Sequence, residues 1–188
     1  MRRRHITLLF LALLCSPLSA QEVTSEMSAV AHELYAAINK GRQQEADVLA
    51  DKYLALCTSD EQRYGTFYAE AKHVKAHTAA ARGDFRLALQ IMDEVIKARL
   101  DKRASSSSDD RMGFSYFDRG TYHFRQQNIN QAIDDLQAAV DAYLKAKENG
   151  KYATALCQLA VYLKYRGAPG DAEREAELVA EPHHCSYC

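Results

Sequence analysis

Four times along this 188-residue chain a turn residue is followed, five positions later, by an alanine. The pairs are Gly41 and Ala46, Gly83 and Ala88, Gln127 and Ala132, and Gly167 and Ala172; successive alanines are 42, 44 and 40 residues apart. Glycine ends a helix in the left-handed conformation without steric cost. A small alanine about one turn into the next helix then lets two antiparallel helices approach closely. Larger apolar residues return after it at helical spacing. They are Ala88, Ile91, Met92, Val95 and Ile96 in the second unit, and Ala132, Ile133, Leu136, Ala139, Val140 and Tyr143 in the third. Self-similarity of this kind is the signature of stacked helical hairpins.

The rest of the composition agrees with a helical chain. Ala, Leu, Gln and Glu are abundant, only three prolines occur, and Val and Ile are scattered without alternating runs. The pattern predicts helices over 24–40, 43–57, 60–82, 85–101, 110–126, 130–148, 151–166 and 171–180. Ser59-Asp60 reads as the start of the third and Asn130 as the cap of the sixth, with Gly150 ending the sixth and Pro182 closing the eighth. The run from Arg103 to Asp110, with four consecutive serines, reads as a loop.

The third unit resembles a tetratricopeptide repeat (TPR). Tyr116 falls at the large aromatic position of that family, Gly120 at the small one, Ala132 at the close-packing one, Leu136 at the bulky one and Ala139 at the last small one. The second unit is similar through Ala76, Ala88, Met92 and Val95. The fourth keeps Ala160, Gly167 and Ala172 before weakening at Ala176, and the first keeps Gly41 and Ala46. The spacing departs from the family period of about 34 residues by six to ten. The resemblance implies an all-α fold, an α-solenoid of about four antiparallel helix-turn-helix repeats spanning nearly all of 24–180. It also implies a concave groove lined by the first helix of each pair, used to hold a protein or peptide. The groove side chains it implies are Tyr35 and Asn39, His73 and His77, Thr121 and Arg125, and Lys164 and Tyr165. Tyr35 and Tyr165 have an equally good alternative as filling between repeats.

The first twenty residues read as a secretory signal. Arg2, Arg3 and Arg4 precede an apolar core from Ile6 to Leu14, and Ser16-Pro17-Leu18-Ser19-Ala20 breaks that helix and offers small residues for cleavage. The core is shorter than the roughly 18 apolar residues a membrane span requires. Residues 21–180 then form the repeat domain and 181–188 a Cys/His tail. Three of the 24 Lys+Arg and none of the 25 Asp+Glu lie in the signal, which leaves a net charge of −4. A mildly acidic chain lacks the basic footprint of a nucleic-acid binder. The expected location is periplasmic or secreted, and the expected role a non-catalytic adaptor or assembly factor of a bacterial cell envelope.

Chemistry-bearing residues are few. His73 and His77 stand at i and i+4, the spacing by which a helix presents paired metal ligands, but the run His73-Val-Lys-Ala-His77 lacks the glutamate of the zinc-protease pattern. A polar helix face lining a groove is the plainer reading. The tail His183-His184-Cys185-Ser-Tyr-Cys188 offers two imidazoles and two thiols within six residues. It supports an alternative function, a metal- or redox-handling accessory protein with His183, His184, Cys185 and Cys188 as ligands. In an oxidising compartment these thiols more commonly form disulfides. Cys185 can pair with Cys188, or either can pair with Cys157, while Cys57 and Cys157 also suit buried positions. No nucleophile elbow or phosphate loop occurs, and acidic pairs such as Asp134-Asp135 read as solvated or capping residues. No cofactor is expected.

Overall fold

The computed structural model describes residues 16–58, 66–101 and 109–180. Among them are eight helices and no strand: α1 (Ser16–Asn39), α2 (Gln43–Leu56), α3 (Thr66–Ala81), α4 (Phe85–Leu100), α5 (Asp109–Arg125), α6 (Ile129–Ala146), α7 (Asn149–Arg166) and α8 (Asp171–Ala180). The main packing runs only between helices adjacent in sequence, from α1·α2 through to α7·α8. The apolar core is accordingly a strip of three clusters: one shared by α1, α2 and α3, one centred on α3 and α4, and one on α6 and α7. That is the architecture of a solenoid.

The turns explain the spacing found in the sequence. Gly41, Gly83, Gln127 and Gly167 all have positive φ, at 67°, 82°, 62° and 61°. At the first three, a pair of crossing backbone bonds closes the helix. Arg42 N–H donates to the Ala37 carbonyl and Gly41 N–H to that of Ile38, each at 3.0 Å, and the same pattern recurs around Gly83 and Gln127. The next helix starts two residues on. Its fourth residue is the recurrent alanine, and Ala46, Ala88 and Ala132 are all buried. Asp84 reinforces one start by accepting a 3.0 Å hydrogen bond from Leu87 N–H.

Close backbone approach shows most clearly in the third unit. A Cβ on Gly120 would lie 3.1 Å from the carbonyl oxygen of Ala132 and 3.2 Å from the Asp135 Cβ, so glycine and alanine together set the α5–α6 separation. Leu136 and Ala139 are fully buried, and Tyr116 packs against the same core. In the second unit Ala76, Met92 and Val95 are likewise buried.

Several local expectations are corrected. Ser16 to Ala20 form the first residues of α1, and the apolar core from Ile6 to Leu14 lies outside the described residues. Pro17, second in that helix, sits where a missing N–H costs nothing. Asn128, not Asn130, flanks the start of α6, and Asn130 instead accepts a bond from Arg166. Gly150 does not end α6. That helix closes at Lys147, itself left-handed with φ 59°, and Gly150 lies in the first turn of α7. Asp109 and Asp110, read from the sequence as the end of a loop, belong to α5, and the rest of that run, 103–108, lies outside the described residues.

Ala172 is exposed, unlike the other three alanines. Its turn closes differently, through a single Gly167 N–H bond to the Leu163 carbonyl at 2.9 Å. Pro169 and Gly170 then delay the helix, so Ala172 falls second in α8. Asp171 makes the anchoring contacts here, accepting from Arg166 at 2.5 and 2.9 Å and from Ala168 N–H at 2.8 Å. Ser59-Asp60 and Pro182 lie outside the described residues. Asp135 is buried rather than solvated, held by both arms of Arg119 at 2.6 and 2.9 Å, while Arg119 also reaches Asp93 at 2.7 Å. This fork joins α4, α5 and α6.

Two glycines provide a test of this packing. A Cβ on Gly113 would lie 2.6 Å from the buried Tyr143 ring. Gly113→Ala is therefore expected to cost about 1–3 kcal/mol in chemical denaturation. Gly150, with nothing within 4 Å of a Cβ, is expected to gain about 0.4–1 kcal/mol as alanine. Equal effects at the two positions would contradict the α5–α6 packing described.

Candidate functional site

A cavity of about 470 Å³ opens across the first helices of all four pairs. Tyr35, Ile38 and Asn39 come from the last turns of α1, and Glu70, His73, Val74 and His77 from α3. Arg111 and Phe114 come from the first half of α5, Asp118 from its middle and Lys151 from the first turn of α7; Arg99 of α4 closes the floor. The lining drifts from the C-terminal end of α1 to the N-terminal end of α7, as expected when successive hairpins are rotated relative to one another.

A continuous chain of polar contacts runs along this floor. Arg111 donates to the Tyr35 hydroxyl and its guanidinium carbon lies 5.4 Å from that ring. Arg111 also pairs with Glu70 Oε1, which accepts from Arg99 Nη2 at 2.6 Å. Arg99, though buried, is well supplied with acceptors. It donates to the Arg111 carbonyl and, at 2.7 Å, to the fully buried Ser115 hydroxyl. Its Nη2 also lies 3.5 Å from His73 Nδ1. Because arginine only donates, this contact suits the tautomer that leaves His73 Nδ1 as acceptor and turns Nε2–H toward Asp118.

The chain ends on one carboxylate oxygen shared by two imidazoles. Asp118 Oδ2 lies 2.6 Å from His73 Nε2 and 2.9 Å from His77 Nε2. The i, i+4 spacing stacks the two rings, with centroids 5.2 Å apart and planes 9° from parallel. His77 Nδ1 faces the Tyr122 hydroxyl at 3.2 Å. His73 is buried and His77 is half-exposed toward the cavity. Burial opposes the charge on Asp118, but the hydrogen bonds from His73 and His77 outweigh it and hold the carboxyl well below the usual carboxylate range. The bond to Asp118 pushes His77 above the ordinary imidazole value, against the opposing effect of burial. Burial, helped by the Asp118 charge, pushes the Tyr122 phenol up.

The structure brings Tyr35, Asn39, His73 and His77 to this cavity and places the other four expected groove residues elsewhere. Thr121 turns back to donate to the Phe117 carbonyl at 3.0 Å, and Arg125 is the last residue of α5. Lys164 lies 3.9 Å from Glu175. Tyr165 packs edge-on to Phe124, with centroids 5.0 Å apart, and donates to Gln127 at 3.2 Å. One register carried along all four first helices describes a straight groove, whereas the lining of this cavity drifts diagonally. Asp118, Glu70, Arg99, Arg111, Phe114 and Lys151 went unnoticed in the sequence. One signal was available for Arg99: it continues the apolar stripe Met92, Val95, Ile96, where a buried charge requires partners. Cys157 lies half-buried on α7, while His183, His184, Cys185 and Cys188 lie outside the described residues.

The same stacked-hairpin arrangement occurs in known structures. The chain is similar to two crystal structures of a Podosopora anserina putative kinesin light chain with nearly identical TPR-like repeats, one of them a point variant. TM-scores are 0.61 and 0.62 at 15% identity, covering 85% of this chain and 80% and 81% of those chains. The fold is TPR-like. No family model and no curated protein matches the sequence, so the TPR-like likeness concerns architecture alone.

The shared carboxylate has a definite pH signature. His77, with a folded value above 6.5, adds stability that is fully present below that pH and lost as pH rises through the folded value. Asp118, depressed, adds stability above its ordinary value of 3.8 that is lost only as pH falls through its lower folded one. Asp118→Asn is therefore expected to destabilise more at about pH 5.5 than at about pH 8. NMR titration should show the His77 value falling in that variant; an unchanged His77 titration would contradict the pairing.

Proposed function

We propose that this chain is a non-catalytic protein-interaction module that holds a peptide or protein segment in the cavity crossing its first helices. One observation carries the reading: every first helix contributes to a single cavity whose lining includes Tyr35, Phe114, Arg111 and Lys151. Tyrosine and arginine carry a disproportionate share of binding energy at protein interfaces, combining large rigid area with directional donors. Phe114 is 43% exposed and Tyr35 37%, which leaves both rings accessible to a partner. Arg111 and Lys151 favour a segment bearing a carboxylate.

We further propose that the protein acts outside the cytoplasm, as an adaptor or assembly factor of a bacterial cell envelope, after cleavage near Ala20. The packing is compatible with that cut: the first buried residue among those with described side chains is Met27, so the core of α1 survives it. No described helix is long and apolar enough to cross a membrane. The N-terminal sequence of the protein recovered from an envelope fraction should begin at Gln21. Recovery of an uncut, cytoplasmic chain would reject export. In an oxidising compartment a disulfide from Cys157 to Cys185 or Cys188 would tie the tail to α7.

The cavity assignment is tested by charge reversal. The immobilised protein should retain a partner from envelope extract, and Arg111→Glu with Lys151→Glu should weaken that retention at least about tenfold. Arg125→Glu with Lys164→Glu, remote from the cavity, should leave it unchanged. The opposite pattern would move the binding surface to the C-terminal ends of α5 and α7.

A further inference from the structure

The geometry points to a binding site for a zinc-class divalent transition-metal ion formed by His73, His77 and Asp118. His73 and His77 come from α3 and Asp118 from α5, and the three offered ligand atoms all lie within 4.8 Å of one another. Two imidazole nitrogens and one carboxylate oxygen form a donor set for zinc, cobalt or iron rather than for magnesium or calcium, which prefer oxygen alone. Three protein ligands leave the fourth tetrahedral position open, and here it faces the cavity.

The distances need little adjustment. Metal–ligand bonds of about 2.1 Å place tetrahedral donors ~3.4 Å apart, against 2.6 and 2.9 Å between Asp118 Oδ2 and the two Nε2 atoms. Half-exposed His77 has room to swing outward from Asp118, whereas the buried His73–Asp118 pair must open further, through a shift of the Asp118 carboxylate. The ion would take the place of the protons now shared with Asp118. Each imidazole must then carry its proton on Nδ1. For His77 the partner is in place, because the Tyr122 hydroxyl at 3.2 Å accepts it. For His73 the change sets two donors face to face, Nδ1–H and Arg99 Nη2. That contact is the longest Arg99 makes among those described, and Glu70, Ser115 and the Arg111 carbonyl remain as acceptors for it. Glu70 also offsets the Arg99 charge near the ion. His73 is thus the ligand whose second partner fits least well, and affinity should be lower than at a closed structural zinc site.

The inference does not depend on a peptide partner, since the ion can be titrated into the protein alone. The decisive measurement is calorimetric titration of zinc into the full-length protein, with cobalt as the spectroscopic probe. The expected result is one ion per site at the triad and a visible cobalt spectrum of four-coordinate type. His77→Ala and Asp118→Asn should each weaken binding at least tenfold, and Tyr122→Phe by about tenfold through loss of the Nδ1–H acceptor. Circular dichroism melts of each variant verify that the helices remain folded. A chain with His183, His184, Cys185 and Cys188 all replaced separates this site from the tail. Retained binding in that chain supports the triad. Binding that disappears with the tail and persists in His77→Ala overturns it, as does the absence of zinc uptake at millimolar concentration.

Discussion

Two backbones can lie side by side only where nothing larger than a methyl group stands between them. That constraint governs this molecule. At Gly120 the facing atoms belong to the backbone of Ala132 and the side chains beside it, and a larger residue at either place would push α5 and α6 apart. The same economy recurs at Ala46 and Ala88, each placed by a left-handed turn that delivers the next helix in the same orientation. Once hairpin geometry is set this way, the bulky residues that follow interlock along the strip-like core.

The cavity follows from that stacking. Successive hairpins expose their first helices on one side, and charged residues from α3, α4 and α5 meet there at distances that would be costly without mutual compensation. Glu70 between Arg99 and Arg111, and Asp118 between two histidines, achieve that compensation. The floor is therefore rigid and polar, while Tyr35 and Phe114 leave apolar surface at the rim. A partner segment and a metal ion make different demands on this arrangement. The first uses the rim and the second only the shared carboxylate, and both are compatible with one scaffold.

The fold was legible because its determinants are local. Turn, alanine and apolar stripe lie within one hairpin, so Gly41, Gly83 and Gln127 could be read in order along the chain. Ala172 shows how such reading fails: the spacing matched, but Pro169-Gly170 changed which helical position the alanine occupies. Lys147 was missed for a related reason, since a left-handed lysine carries no compositional sign. The site was half legible. His73 and His77 declare themselves through i, i+4 spacing, whereas Asp118 lies 45 residues from His73 and reaches them only through the stacking of successive hairpins. Helix rotation between repeats, which moves the lining from one end of α1 to the other end of α7, is a property of the stack and of no single hairpin.

Because each helix packs chiefly on the helices before and after it in the chain, most contacts are local in sequence. Chains of this kind have low contact order and pay little entropy to begin folding. Any hairpin with a sound turn can serve as a nucleus, and growth can proceed toward either terminus. Such a molecule can assemble progressively as it emerges from a narrow passage, with no need to wait for its last residues.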